Sequence, residues 1–229
     1  MGKITLDREG ARFVRKNNWE VSVPVSVEQI HSNVTLSVYP RLRPLAKRFL
    51  KRFEDRPVSD EAIAFLREGG RKYLARRGYV PESGRDGRGQ IFRFCFYNMP
   101  EEAENCFPLT PEVMETYRNL TEYDLAMTFE DDRLAYVAVE GDAIVAIAAT
   151  NTSREEWDTY VEVGVETAPD YRRRGYGALC LNHLGAALAL EEYGAEGRAD
   201  LENVGSIFCL RRAGYVRVGY YFDLVGEKT

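Results

Sequence analysis

Histidine and tryptophan occur only twice each in these 229 residues, and cysteine four times. His31 and His183 lie far apart, and Cys95, Cys106, Cys180 and Cys209 form no C-x-x-C pair. That supply suits neither a metal site nor a disulfide framework, so no metal is expected. Reduced thiols and a cytoplasmic location are expected instead. No apolar run approaches the length of a membrane span, so no membrane partner is expected. The opening MGKITLDREGARF lacks the apolar stretch of a signal peptide. Without secretion, the Asn-x-Thr/Ser triplets at 33, 119 and 151 carry no meaning as glycosylation sites. ESGRDGRGQ, residues 82–90, is rich in glycine but lacks the G-x-x-x-x-G-K-[ST] order. It reads as a surface loop, not as a P-loop.

What is present is a composition of 45% hydrophobic and 29% charged residues, ordinary for a globular protein with a sizeable core. The net charge of −5 is unevenly spread: residues 1–100 carry 20 Lys and Arg against 11 Asp and Glu, and the remainder 11 against 25. Such an imbalance is read first as solvated or mutually facing charge. No nucleic-acid motif accompanies the basic half, so nucleic acid is not expected as a partner.

Residues 19–27, WEVSVPVSV, alternate like a strand that Pro24 demotes to a sheet edge. Residues 42–54 place Leu45, Phe49, Leu50 and Phe53 on one helical face, with basic residues opposite. A second helix is expected over 60–76, capped by Ser59, with Ile63, Leu66 and Leu74 packing on the first. IFRFCFY, 91–97, reads as a strand. The acidic, proline-containing segment 98–111 marks a boundary. Residues 1–105 are therefore expected to form a helix-rich α/β region that contributes to an acceptor cleft, and 106–229 a second domain.

In the second domain Thr110-Pro111 opens a short helix. Strands are expected over 134–140 and 143–150, turned by Gly141-Asp142, and over 159–167. A helix over 174–193 closed by Gly194, a strand over 197–201 and a helix over 203–213 capped by Asn203 follow. Residues 215–225 supply one or two last strands. The fold class is α/β (α+β), a mixed, mostly antiparallel sheet flanked by helices.

The most informative stretch is APDYRRRGYGALC, residues 168–180. A strand enters a proline-marked turn, three arginines and Gly-Tyr-Gly follow, and a helix begins. The first N–H groups of a helix have no intrahelical partner and, with the helix dipole, bind anions. Gly175 and Gly177 let a diphosphate approach the backbone, and Arg172, Arg173 and Arg174 add positive charge.

Arg172-x-x-Gly175-x-Gly177 resembles the acetyl-CoA signature [RQ]-x-x-G-x-[GA] of the GCN5-related N-acetyltransferase (GNAT) superfamily. Asn203-x-x-Ser206 followed by Arg-Arg-Ala-Gly214-Tyr215 is similar to that superfamily's second motif, and the resemblance covers residues 110–225. VEVGVETAPDYRRRG also resembles its FR47-like branch. The resemblance implies transfer of an acetyl group from acetyl-CoA to a primary amine of a small molecule or peptide. It also implies that the strand before the signature splays from its neighbour to admit the pantetheine arm. Backbone groups of Val163 and Val165 would then bond that arm. The N–H groups of Arg173, Arg174, Gly175, Tyr176 and Gly177 would hold the pyrophosphate. Asn203 and Ser206 would lie near the pantetheine or the thiol, which makes Ser206 a catalytic candidate.

Strand period puts Glu162 and Glu166 on one face and Val161, Val163 and Val165 on the other. Glu162 is the expected general base, since an alkylamine with pKa about 10.4 must lose a proton before attack. Many members carry a tyrosine seven residues after the motif asparagine as general acid; here that position is Leu210. Tyr215 and Tyr220 are nearby alternatives that also suit packing, and Cys209 reads as a small core residue. Leu210 keeps open a non-catalytic reading, an acyl-CoA-binding sensor or interaction module. The acidic excess of the second half favours a cationic acceptor such as a polyamine, an aminoglycoside or a lysine side chain.

Overall fold

The computed structural model describes residues 3–6, 21–81, 87–101 and 103–228. The chain divides into two compact units, residues 1–91 with 218–229, and residues 92–217. In chain order the elements are β1 (Lys3–Leu6), β2 (Val21–Ile30), β3 (Asn33–Val38), α1 (Arg43–Phe53), α2 (Asp60–Ala75), β4 (Tyr79–Pro81) and β5 (Arg88–Phe94). Next come β6 (Cys106–Pro108), α3 (Pro111–Thr116), β7 (Arg118–Asn119), α4 (Leu125–Glu130), β8 (Ala135–Glu140) and β9 (Ala143–Thr150). The chain closes with β10 (Tyr160–Thr167), α5 (Tyr176–Leu190), β11 (Gly194–Asp200), α6 (Val204–Arg212) and β12 (Tyr215–Lys228).

In the first unit the sheet order is β1-β3-β2-β12, and β4 pairs the far end of β12. Pro24 does not mark an edge. β2 is paired on both sides, by β3 and by β12, and the β12 register shifts between Leu224 and Gly226, opposite the proline. A bulge is where a strand tolerates a residue with no N–H to give. β3 is not among the expected strands, although NVTLSV buries Val34, Leu36 and Val38 in alternation. Of the expected loop at 82–90, residues 82–86 lie outside the described residues. Arg88 to Gln90 begin β5 instead.

Helix α1 buries Leu45, Phe49 and Phe53, and Leu50 is half-buried. α2 is capped as expected, with Ser59 Oγ accepting from the Ala62 N–H at 3.3 Å. Phe49, Phe53 and Phe65 cluster with ring centroids 5.5 to 6.4 Å apart. Phe49 is fully buried there, so Phe49→Ala is expected to destabilise by about 3–5 kcal/mol, read from urea unfolding.

In the second unit the strand order is β11-β10-β9-β8-β6, with β7 on β9. The β10/β9, β9/β8 and β8/β6 pairs are antiparallel, and β10/β11 and β7/β9 are parallel. This is the mixed, mostly antiparallel sheet the sequence predicts. Gly141, at φ +62°, makes the two-residue turn between β8 and β9. All eight residues of β9 are buried, because both of its faces are covered. Ala146 and Ala148 pack with Leu181 and Leu184 of α5, and Ile144, Ile147 and Ala149 pack with Leu125 of α4.

Helix α5 is shorter than the 174–193 expected. Glu192 takes a left-handed turn at φ +66°, and the Tyr193 N–H bonds the Leu188 carbonyl. Gly194 is therefore not the cap but the first residue of β11. A Cβ there would lie 2.4 Å from the Tyr160 ring. Among the described residues no helix is long and apolar enough to cross a membrane.

Candidate active site

Strand β10 carries the site. The Asn151 N–H donates to the Glu162 carbonyl at 2.8 Å, and the Ala168 N–H to the Val145 carbonyl at 2.9 Å. Residues 162, 164, 166 and 168 therefore direct their backbone polar groups at β9, and the odd-numbered residues direct theirs the other way. On that other side the parallel ladder with β11 ends at Glu162↔Glu196, although β10 runs to Thr167 and β11 to Asp200. The Val163 N–H makes the last ladder bond. The Val163 carbonyl and both backbone groups of Val165 face the opening without a ladder partner.

The turn after β10 is held by Arg172, whose Nε donates to the Thr167 carbonyl at 3.0 Å. Arg173 and Gly175 adopt left-handed conformations, with φ +66° and +101°. For glycine this costs nothing steric. The first bond inside α5 runs from the Leu179 N–H to the Gly175 carbonyl, and no side chain caps the helix. The N–H groups of Tyr176, Gly177 and Ala178 thus point out of the helix end. Gly177 lies against β10: a Cβ would sit 2.8 Å from Thr167 Oγ1 and 3.2 Å from Val165 Cγ2. At the start of α6, Asn203 Oδ1 accepts from the Ser206 N–H at 3.1 Å. The residue therefore caps its helix as well as bordering the site.

These elements enclose a cleft of about 610 Å³. Of the residues expected from the sequence, Val165, Arg172, Arg173, Gly175, Tyr176, Gly177, Asn203 and Ser206 all line it. Val163, Arg174 and Glu162 do not. The Val163 side chain is buried in the core. Arg174 pairs with Glu140 at 3.1 Å and lies over the Tyr171 ring. Glu140 also accepts from the Tyr176 hydroxyl, and that bond raises the phenol pKa. The sequence reading did not name Thr167, Phe208 or Arg212, which also line the cleft. Helical period was the available signal: positions 205, 208, 209 and 212 fall on one face of α6.

Cys209 is not purely a core residue, since its half-buried side chain also borders the cleft. Burial pushes its thiol up to about 11, against the lowering effect of Arg212. At pH 7 only about one molecule in ten thousand would carry the thiolate, the form that attacks an acyl group. Leu210 is buried, with its Cδ2 2.4 Å from where a Gly197 Cβ would be. Tyr215 is buried with its hydroxyl donating to the Leu181 carbonyl, and burial raises its pKa strongly. Tyr220 belongs to the other unit.

The opposite face of β10 is polar. Glu162 accepts from Asn151 Nδ2 at 3.0 Å and lies 3.7 Å from Arg198 Nε. Glu166 accepts from the Glu122 N–H at 2.7 Å. Between them, Gly164 leaves room for the Tyr123 hydroxyl, 3.2 Å from a would-be Cβ. Burial raises the pKa of that phenol, and nearby Arg133 partly offsets the rise.

A family model described as the acetyltransferase (GNAT) family matches residues 96–215. No curated protein matches the chain. Among solved structures, an acetyltransferase of the GNAT family from Colwellia psychrerythraea is similar with a TM-score of 0.51 at 10% identity, over 82% of this chain and 76% of that one. This likeness is one of fold. A GCN5-related N-acetyltransferase from Kribbella flavida is 22% identical over 70% of this chain and 64% of that one, with a TM-score of 0.42. A GCN5-related N-acetyltransferase-like protein from Streptococcus suis is 14% identical over 90% and 88%, with a TM-score of 0.45.

Proposed function

The chain belongs to the acetyltransferase (GNAT) family, and from that premise we propose that it transfers an acetyl group from acetyl-CoA to a primary amine of a small molecule or peptide. The observation that carries this reading is the end of the β10/β11 ladder at Glu162, beside a glycine turn whose first helix N–H groups have no partner among the described residues. One opening thus offers strand backbone to an amide-bearing arm and helix N–H groups to a diphosphate. The cleft fits that coenzyme, since Gly177 leaves empty the space a side chain would fill.

Bound acetyl-CoA supplies an activated thioester. Val165 and the Val163 carbonyl would bond the pantetheine arm, and Tyr176, Gly177 and Ala178 the pyrophosphate. Charge developing on the thioester oxygen would be met by the Val165 N–H. Glu162, oriented by Asn151 and Arg198, is the proposed base that takes the amine proton. Ser206, on the first turn of α6, stands near the departing thiol. A thiol with pKa about 8.5 leaves without a strong acid, so Leu210 is compatible with turnover. Glu162 and Glu166 on one face favour a cationic acceptor.

Cys209 would play no covalent part, so direct attack by the amine is the proposed route. Cys209→Ser is expected to keep kcat within about threefold, because removing a largely protonated thiol removes no nucleophile. A covalent acyl-enzyme route would lose turnover altogether. The reading as a whole is tested by calorimetry with acetyl-CoA and by thiol release across a panel of amines. Acetyl-CoA affinity without release on any amine would favour the sensor reading, for which buried Leu210 is the supporting observation. No affinity would end both readings.

A further inference from the structure

Strands β5, β11 and β10 are neighbours in the sheet, in that order. Phe92, Ala195 and Val163 are buried in the core with α5. By strand period Arg93, Glu196 and Glu162 therefore stand together on the other face. The β10/β11 register sets Glu162 directly opposite Glu196. Two carboxylates so placed repel. Glu196 is the costlier of the two, with a side chain 9% exposed against 38% for Glu162.

Two arginines relieve this repulsion, and they divide their bonds unequally. Arg93 Nε donates to Glu196 Oε2 at 3.1 Å, and its guanidinium lies 3.4 Å from the centre of the Tyr160 ring. Arg198, two residues beyond Glu196 on the same face, donates from both Nε and Nη2 to Glu196 Oε1, at 3.2 and 3.0 Å. The same Nε is 3.7 Å from Glu162 Oε2, close enough to attract it and too far to hydrogen-bond it. Glu162 takes its hydrogen bond on the other oxygen, Oε1, from the uncharged Asn151 amide at 3.0 Å. Among the described residues, Glu162 Oε2 accepts no hydrogen bond.

We propose that Glu196 is a positioning residue for the reaction: it engages the N–H groups of Arg198 and so keeps Glu162 Oε2 open to the acceptor amine. The inference rests on Glu162 as the base, as read above. A guanidinium beside a carboxylate favours a two-bonded fork. Glu162 is within reach of such a fork. A carboxylate caught in one has fewer lone pairs to offer an amine and less affinity for its proton. The buried Glu196 competes for the same N–H groups and holds them. Arg93, on the far oxygen of Glu196, supplies the second cation, so the row of two guanidiniums and two carboxylates is neutral. The Asn151 bond orients the Glu162 carboxylate without adding charge.

The test joins crystal structures to kinetics, on the full chain with acetyl-CoA and an amine that it turns over. In Glu196→Gln, Arg198 should move onto Glu162 and bond Oε2 at about 2.7–2.9 Å, and kcat should fall about tenfold or more. Adding Arg198→Met should then raise kcat again by at least about fivefold, because the competing fork is gone. If the two residues were merely structural, the second change would add to the loss. Glu196→Asp keeps the buried charge but ends one methylene short. It should show the same closure with a smaller loss, and it carries the test if Glu196→Gln does not fold. Arg198 keeping its wild-type distance from Glu162 in the variants, or a double variant slower than Glu196→Gln, overturns the proposal. Closure of Arg198 onto Glu162 with kcat unaltered would uphold the hold of Glu196 on Arg198 and overturn Glu162 as the base.

Discussion

Gly177→Val should weaken acetyl-CoA binding by at least about a hundredfold, or about 2.7 kcal/mol. A Cβ alone at this position would be 2.8 Å from Thr167 Oγ1 and 3.3 Å from Cys209 Sγ. Valine's two further methyl groups would occupy the space between β10 and α5, beside the N–H groups proposed for the pyrophosphate. They would also press on Val165, whose backbone is proposed to bond the pantetheine arm. Overpacking of this kind costs about 1–3 kcal/mol of stability, so the Tm must be measured with the Kd. Gly177→Ala, which adds only the Cβ, should fall between the two. A valine variant with a native Tm and full affinity would remove the pyrophosphate from this turn.

The second large effect is expected at Glu162. Glu162→Gln should lower kcat by about 10²–10³ with the Kd for acetyl-CoA unchanged, since a general base contributes in that range. Without the base, the amine must arrive already neutral. The variant's rate should then climb about tenfold per pH unit below the amine pKa, where the neutral fraction grows by that factor. Glu166→Gln is the control. Glu166 lines the cleft, but its carboxylate already accepts the Glu122 N–H, and the kcat of this variant at saturating amine should stay within about threefold of wild type. If the pH-dependent loss appeared at Glu166 instead, the base would have to be reassigned there.

Much of the second unit was legible in the sequence because its signals are local. AIVAIAAT is uninterrupted apolar because both faces of β9 are covered. Gly141-Asp142 spaces a tight turn, and Asn203 caps α6 with its own side chain. Where reading failed, a local signal was overridden by a distant partner. Pro24 predicts an edge, yet it sits in a bulge of β2, where Val23 and Pro24 face the single Val225 of β12, about 200 residues away in sequence, in a strand paired on both sides. Gly194 predicts a helix cap, yet it is glycine because the Tyr160 ring lies against it.

The same division holds at the site. Strand, glycine turn and helix stand in the sequence in their order, and so do the residue types that can meet an anion there. These properties follow from φ preferences, period and hydrogen-bonding capacity, which neighbours along the chain decide. Folding in three dimensions decided the rest. It placed the end of the β10/β11 ladder at Glu162 and set Arg212 against Gly175. It tied Arg174 to Glu140. Each of these depends on which strand or helix end comes to lie beside which, and no spacing within a single segment records that.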